Sequence, residues 1–162
     1  MILCPETNPV IHAAEPQASN ALTDTALAVS LEGADGVLMT VYQLNTNASS
    51  PLILTVNEGD TKTVAEAGTY PLAVVFPIWS NLDCATNDTM VRRSDAVTYT
   101  VTASAADVNV VHFYIPAAIL TDGREWVQID ATASGHASNL VSVTYQLDKT
   151  RYKSVTPPTA VA

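Results

Sequence analysis

The sequence predicts an all-β fold: an antiparallel β-sandwich, jelly-roll-like, with about eight strands. Three observations lead there. From residue 26 to residue 147, short alternating runs of Val, Ile, Leu, Thr and Tyr recur at intervals of roughly ten to fifteen residues. Gly, Asp, Asn and Pro stand between those runs, where tight connections need permissive or pre-set backbone angles. No stretch carries the sustained 3.6-residue apolar period of a long amphipathic helix. An immunoglobulin-like sandwich is the alternative arrangement of the same strands.

The first 25 residues hold Pro5, Pro9 and Pro16, which remove backbone donors, and they show no sustained period. They predict an extended N-terminal arm. Residues 26–32 and 36–44 flank the turn Gly33-Ala34-Asp35 and read as a first hairpin. Both alternating sets of 36–44 are largely apolar, which fits a strand inside a sandwich. Residues 45–50 form a polar loop stopped by Pro51, and 52–56 run into the hairpin signal Asn57-Glu58-Gly59-Asp60, with 61–64 as the return strand. Residues 70–76 predict a short strand closed by Pro77. Residues 77–95 form the longest irregular segment. After it, 96–103 is the clearest strand, because its β-branched and aromatic residues suit a pleated surface and fit helices poorly. Strands over 108–115, 125–132 and 140–147 complete the set, with a brief helical turn over 116–120. The domain organisation is therefore an arm over 1–25, one sandwich over 26–152 and a Pro-containing C-terminal tail over 153–162.

Composition bounds what this fold can do. A chain of 162 residues and 17.1 kDa buries roughly two thirds of its unfolded surface, enough for one substantial core. With 48% hydrophobic and 14% charged residues it lies far from disordered compositions. No apolar run nears the roughly 20 residues that a membrane-crossing helix needs. The N-terminus shows neither the basic segment nor the apolar stretch of an export signal, so an intracellular origin with free thiols at Cys4 and Cys84 is expected. Asn47-Ala48-Ser49 and Asn87-Asp88-Thr89 match the glycosylation triplet, but in that setting they are loop chemistry. The net charge of −9 argues against nucleic acid as a partner, since phosphate binding needs clustered cations. Lys149, Arg151 and Lys153 form the one dense basic group. Their alternation with Thr150 and Tyr152 would put the three charges on one face of a strand, which fits a solvated edge strand or a salt-bridging contact with an acidic neighbouring subunit.

Catalytic signatures do not assemble. His12, His112 and His136 each stand without a second ligand at metal spacing, and His112, on a strand, reads as a hydrogen-bonded boundary residue. Ser134 and Ser138 flank His136, but the nucleophile-elbow pattern is missing. Glu32, Asp35, Glu58 and Asp60 fall at turns, where they serve backbone geometry and solubility. The Asp-x-Asp-x-Asp-Gly run of a Ca²⁺ loop is missing, although Asp83 and Asp88 could join a cation site, and the glycines are scattered singly. The sequence thus predicts a non-enzymatic protein with no cofactor and no metal. Its candidate functional residues are interfacial. Trp79, Arg92 and Arg93 lie in the long segment 77–95, which is costly in ordering entropy, and Trp and Arg are enriched at interface hot spots. Trp79 has a second reading, as a cap on the end of the core. Arg151 and Tyr152 complete the candidate set.

Three stretches together carry a resemblance: residues 20–44, Phe76-Pro-Ile-Trp-Ser-Asn, and the ending from Ala137-Ser-Asn through Arg151-Tyr152 to Thr156-Pro-Pro-Thr-Ala-Val-Ala. In texture, and in the Arg-Tyr…Pro-Pro-Thr-Ala ending, the chain resembles small structural proteins of tailed bacteriophages encoded beside the major capsid protein. The resemblance implies a virion component on the outer capsid surface, a decoration or cement protein that binds the major capsid protein and associates as a homotrimer. Neck, tail or fibre roles are the nearest alternatives. A carbohydrate-binding adhesion sandwich is a further one, although Trp79 and Trp126 fall on different predicted elements.

Overall fold

The computed structural model describes residues 10–22, 26–47, 51–102, 107–131 and 136–150, the backbone alone being described at 149 and 150. The strands are β1 (Val10–Ala18), β2 (Val29–Ser30), β3 (Ala34–Asn45), β4 (Leu52–Gly59), β5 (Ile78–Asn81), β6 (Val91–Arg92), β7 (Thr98–Val101), β8 (Asp107–Pro116), β9 (Trp126–Ala131) and β10 (Leu140–Thr150). One short helix, α1 (Lys62–Glu66), lies between β4 and β5. The strands form a six-stranded sheet in the order β1-β10-β3-β8-β5-β6 and a four-stranded sheet in the order β2-β9-β4-β7. Every pairing between them is antiparallel.

The winding is that of a jelly roll. The first four strands pair with the last four in reverse, β1 with β10, β2 with β9, β3 with β8 and β4 with β7. Rolling this long ribbon adds the pairs β3–β10 and β4–β9, which close each sheet. The segment between β4 and β7 is an insertion, and its strands β5 and β6 extend the six-stranded sheet beyond β8.

Alternation in the sequence decides what lies between the sheets. Val37, Met39 and Val41 of β3, Val111, Phe113 and Ile115 of β8, and Val141, Val143, Tyr145 and Leu147 of β10 point inward and are buried. They meet Leu52, Leu54 and Val56 of β4 with Val127 and Ile129 of β9. Burying each such side chain contributes roughly 1.5–3 kcal/mol. Phe76 and Tyr99 both meet the Phe113 ring edge-on, with centroids 5.6 and 6.4 Å away.

Several expectations need correction. The arm predicted over 1–25 contains β1, an edge strand of the large sheet. Pro16 is tolerated there because the register with β10 shifts between Ala14 and Gln17, where a missing N–H breaks no ladder. Residues 26–32 and 36–44 are not a hairpin: β2 and β3 belong to different sheets, and Gly33, at φ 72°, turns the chain between them. Residues 61–64 are not a return strand, since β4 runs on to Gly59 and α1 follows. The Thr61 hydroxyl accepts from the Val64 N–H at 3.3 Å to cap that helix. Residues 70–76 form no strand and make only the isolated bridges Asn57–Pro71 and Phe76–Ala96. The segment 77–95 is not wholly irregular, because β5 and β6 lie within it. The clearest predicted strand, 96–103, shortens to β7 at the open edge of the smaller sheet.

Candidate functional site

The insertion brings Trp79, Arg92 and Arg93 together. On β5, Ile78 and Ser80 turn inward and are buried, so Trp79 faces out from the large sheet, half-buried. This geometry removes the core-cap reading. Trp79 pairs in register with Arg92 of β6 on one side and with His112 of β8 on the other. The Arg92 guanidinium carbon lies 4.9 Å from the centroid of the Trp79 ring, a cation–π stack. Its Nη2 pairs with Asp95, and its Nη1 donates to the carbonyls of Ile78 and Arg93. Both side chains of the Arg92–Asp95 pair are more than two fifths exposed, so the pair orients the guanidinium and contributes little stability.

Arg93 is held differently. Its Nε donates to the Ser80 hydroxyl at 2.7 Å, and that buried hydroxyl lies 2.8 Å from the Tyr99 phenol on β7. Arg93 therefore ties the inserted hairpin to the edge of the opposite sheet. Its own N–H donates to the Ile78 carbonyl at 2.8 Å. The turn between β5 and β6 is braced by side chains: Asn81 Nδ2 donates to the Asn87 carbonyl, Thr86 Oγ1 donates to Asp83, and Asn87 Oδ1 accepts from the Thr89 N–H. These bonds give the irregular stretch a fixed shape.

The remaining chemistry-bearing groups are held in structural contacts. Nδ1 of His112 lies 2.9 Å from the Thr40 hydroxyl, and burial lowers the imidazole pKa below its ordinary value. The expected hydrogen-bonded boundary histidine is what the strand presents. Nδ1 of His136 accepts from the Ser138 N–H at 3.1 Å, and its backbone exchanges bonds with the Ser19 hydroxyl. Cys84 is a free thiol; burial pushes its pKa up and the nearby Asp83 and Asp88 add to this, so it stays protonated at neutral pH. Among the described residues no three His, Cys, Asp or Glu side chains gather as a metal site. Trp126 lies on β9 of the smaller sheet, so the two tryptophans belong to different sheets. Arg151 and Tyr152 lie outside the described residues, as do Cys4 and the tail over 153–162.

Sequence reasoning missed one charged site. Glu58, read as a turn residue, is buried on β4. Its carboxylate accepts from the Arg124 guanidinium at 2.7 Å, from the Thr121 N–H at 2.9 Å and from the Thr121 hydroxyl. Arg124 also stacks over Tyr70, 3.9 Å from the ring centroid. The partners lie more than sixty residues from Glu58 in sequence, so local pattern carried no signal of the site. Comparison with known proteins yields no match: no family model, no curated protein and no solved structure aligns with this chain.

Proposed function

We propose that this protein is a non-enzymatic structural component of a virion, a capsid decoration or cement protein that docks on the major capsid protein through its β5–β6 insertion. One observation carries the reading: the Trp79–Arg92 stack stands on an inserted, side-chain-braced hairpin, beside Arg93. The whole chain has only seven Lys and Arg against sixteen Asp and Glu, so an arginine stacked on an outward Trp, with a second arginine anchoring the same hairpin inward, is a local exception to its acidity. Such a patch suits an acidic, partly apolar protein surface, with Trp supplying area and Arg supplying oriented donors. The resemblance of residues 20–44, 76–81 and the ending over 137–162 to phage structural proteins supplies the setting.

The test is abundance. Quantitative mass spectrometry of purified virions from the phage that encodes the chain should find it at a copy number approaching that of the major capsid protein. Absence from the particle, or presence at a small fraction of the capsid protein, would overturn the decoration role.

A further inference from the structure

The chain carries its charges unevenly. Residues 36–57, 108–121 and 131–147 contain no Asp, Glu, Lys or Arg, although the whole sequence has twenty-three such residues. The fold sets these three stretches side by side, since β10, β3 and β8 are consecutive in the large sheet. Their inward residues are core, where absence of charge is ordinary. Their outward residues are not. Leu140, Leu44 and Val108 lie in one cross-strand row, and Ser142, Tyr42 and Val110 lie in the next. Tyr42, Leu44, Val108 and Leu140 are 45, 41, 38 and 44% exposed. With Pro16 and Ser142 they line a shallow groove of about 210 Å³. The third row, His12, Thr144, Thr40, His112, Trp79 and Arg92, crosses all six strands, and its only permanent charge is at the β6 margin. Among the described residues, Glu15 and Asp148 are likewise marginal, on the edge strand β1 and at the far end of β10. Strands with one face on the core and one in water ordinarily alternate apolar inward residues with charged or polar outward ones, so a broad uncharged outer face with exposed Tyr, Leu and Val marks an interface.

We infer that this face binds a second copy of the same chain, the two six-stranded sheets packing about a two-fold axis through the groove. Charge selects that occupant. Two copies at −9 each repel through every acidic surface, and the uncharged face is where they can approach without like-charge cost. A foreign partner of an acidic protein would gain from complementary charge, which this face does not offer. The area is sufficient: the four long strands β1, β10, β3 and β8, about 4.8 Å apart, with eight residues at about 3.4 Å each, give roughly 500 Å² per copy and about 1,000 Å² in total, the size at which a specific interface begins. An isologous contact is self-complementary, so each copy lays its Tyr42 ring into the other's groove and the assembly closes at two. The inference does not rest on the virion reading, because it uses the β1-β10-β3-β8 part of the sheet face and the groove around Tyr42, with the Trp79–Arg92 stack left at the β5–β6 margin.

The test is the solution mass of the full chain. Sedimentation equilibrium at micromolar concentration should give twice the 17.1 kDa of the chain, and raising NaCl should hold or strengthen the dimer because screening removes only repulsion. Leu44→Lys and Leu140→Lys, each at an outward, half-exposed position, should separately give monomers with unchanged far-UV circular dichroism and thermal melt. A variant that loses its fold is set aside in favour of the other, and if both do, Tyr42→Ser decides. A monomeric wild type at 100 μM-scale concentration would overturn the inference. So would an oligomer, dimer or trimer, that a folded groove variant leaves intact, or a wild-type monomer whose groove variants lose capsid binding.

Discussion

Tyr145 shows how much rests on single side chains in a sandwich core. It is fully buried on β10, and its phenol oxygen accepts from the main-chain N–H of Ile129 at 2.9 Å. β2 pairs with β9 only at Trp126 and Val127 and stops short of Ile129, so a side chain from the other sheet completes the ladder there. Tyr145→Phe leaves that N–H buried without its acceptor, and urea unfolding should show a loss of about 1–3 kcal/mol. Glu58→Gln removes the charge facing Arg124 while keeping the shape, and a comparable loss of about 1–3 kcal/mol is expected in the same assay. His112 gives a pH dependence. Burial lowers its folded pKa below the ordinary value, so the unfolded chain binds the proton more readily. Stability from this group is complete above the unfolded pKa and is lost as pH falls towards the folded one. Melts from pH 7.5 down to pH 5 should therefore fall less steeply in His112→Gln than in the wild type. At this scale legibility was mixed. His112 as a hydrogen-bonded boundary residue followed from its place in a strand, whereas Glu58 did not, because Asn-Glu-Gly-Asp carries turn chemistry and its partner Arg124 is supplied by the other half of the roll.

Elements were legible wherever alternation was local. β3, β4, β8, β9 and β10 each follow from runs of β-branched and aromatic residues, and their ends shift by only a few residues. Elements that depend on distant partners were not. β1 needs β10 to hold it, and β5 and β6 are too short to show a period of their own. The helix α1 was hidden in Thr61-Lys-Thr-Val, which has the β-branched content of a strand, until Thr61 caps it. Its approach to β4 depends on Gly59. A Cβ there would lie 2.4 Å from the Ala65 nitrogen and 2.9 Å from the Thr61 carbonyl oxygen, both backbone atoms that cannot swing away. Gly59→Ala should therefore lower stability by about 1–3 kcal/mol, read as a shift in the urea midpoint, and loosen the α1–β4 contact. Gly33→Ala tests the sheet-to-sheet turn: open space surrounds the Cβ, so any loss reports the left-handed backbone alone and should be near 1 kcal/mol.

At the scale of the whole molecule, the jelly-roll order follows from pairing the first strands with the last; the rhythm of strands anticipated a sandwich, with ten strands where about eight were expected. The sequence could not show which strands share a sheet, because the turn at Gly33 has the chemistry of a hairpin while serving as a crossover. The fold separates two surfaces of opposite character: the uncharged outer face of β10, β3 and β8, and the arginine-bearing insertion at the margin of the same sheet. The first is proposed to join copies of the chain and the second to grip the capsid.

The most direct measurement of that division is binding to capsid shells stripped of this protein, comparing the wild type with Trp79→Ala/Arg92→Ala and with Leu44→Lys. The insertion double variant, still dimeric, should bind at least about tenfold more weakly, as loss of a hot-spot pair requires. Equal affinity of that folded variant and the wild type for the shells would contradict it.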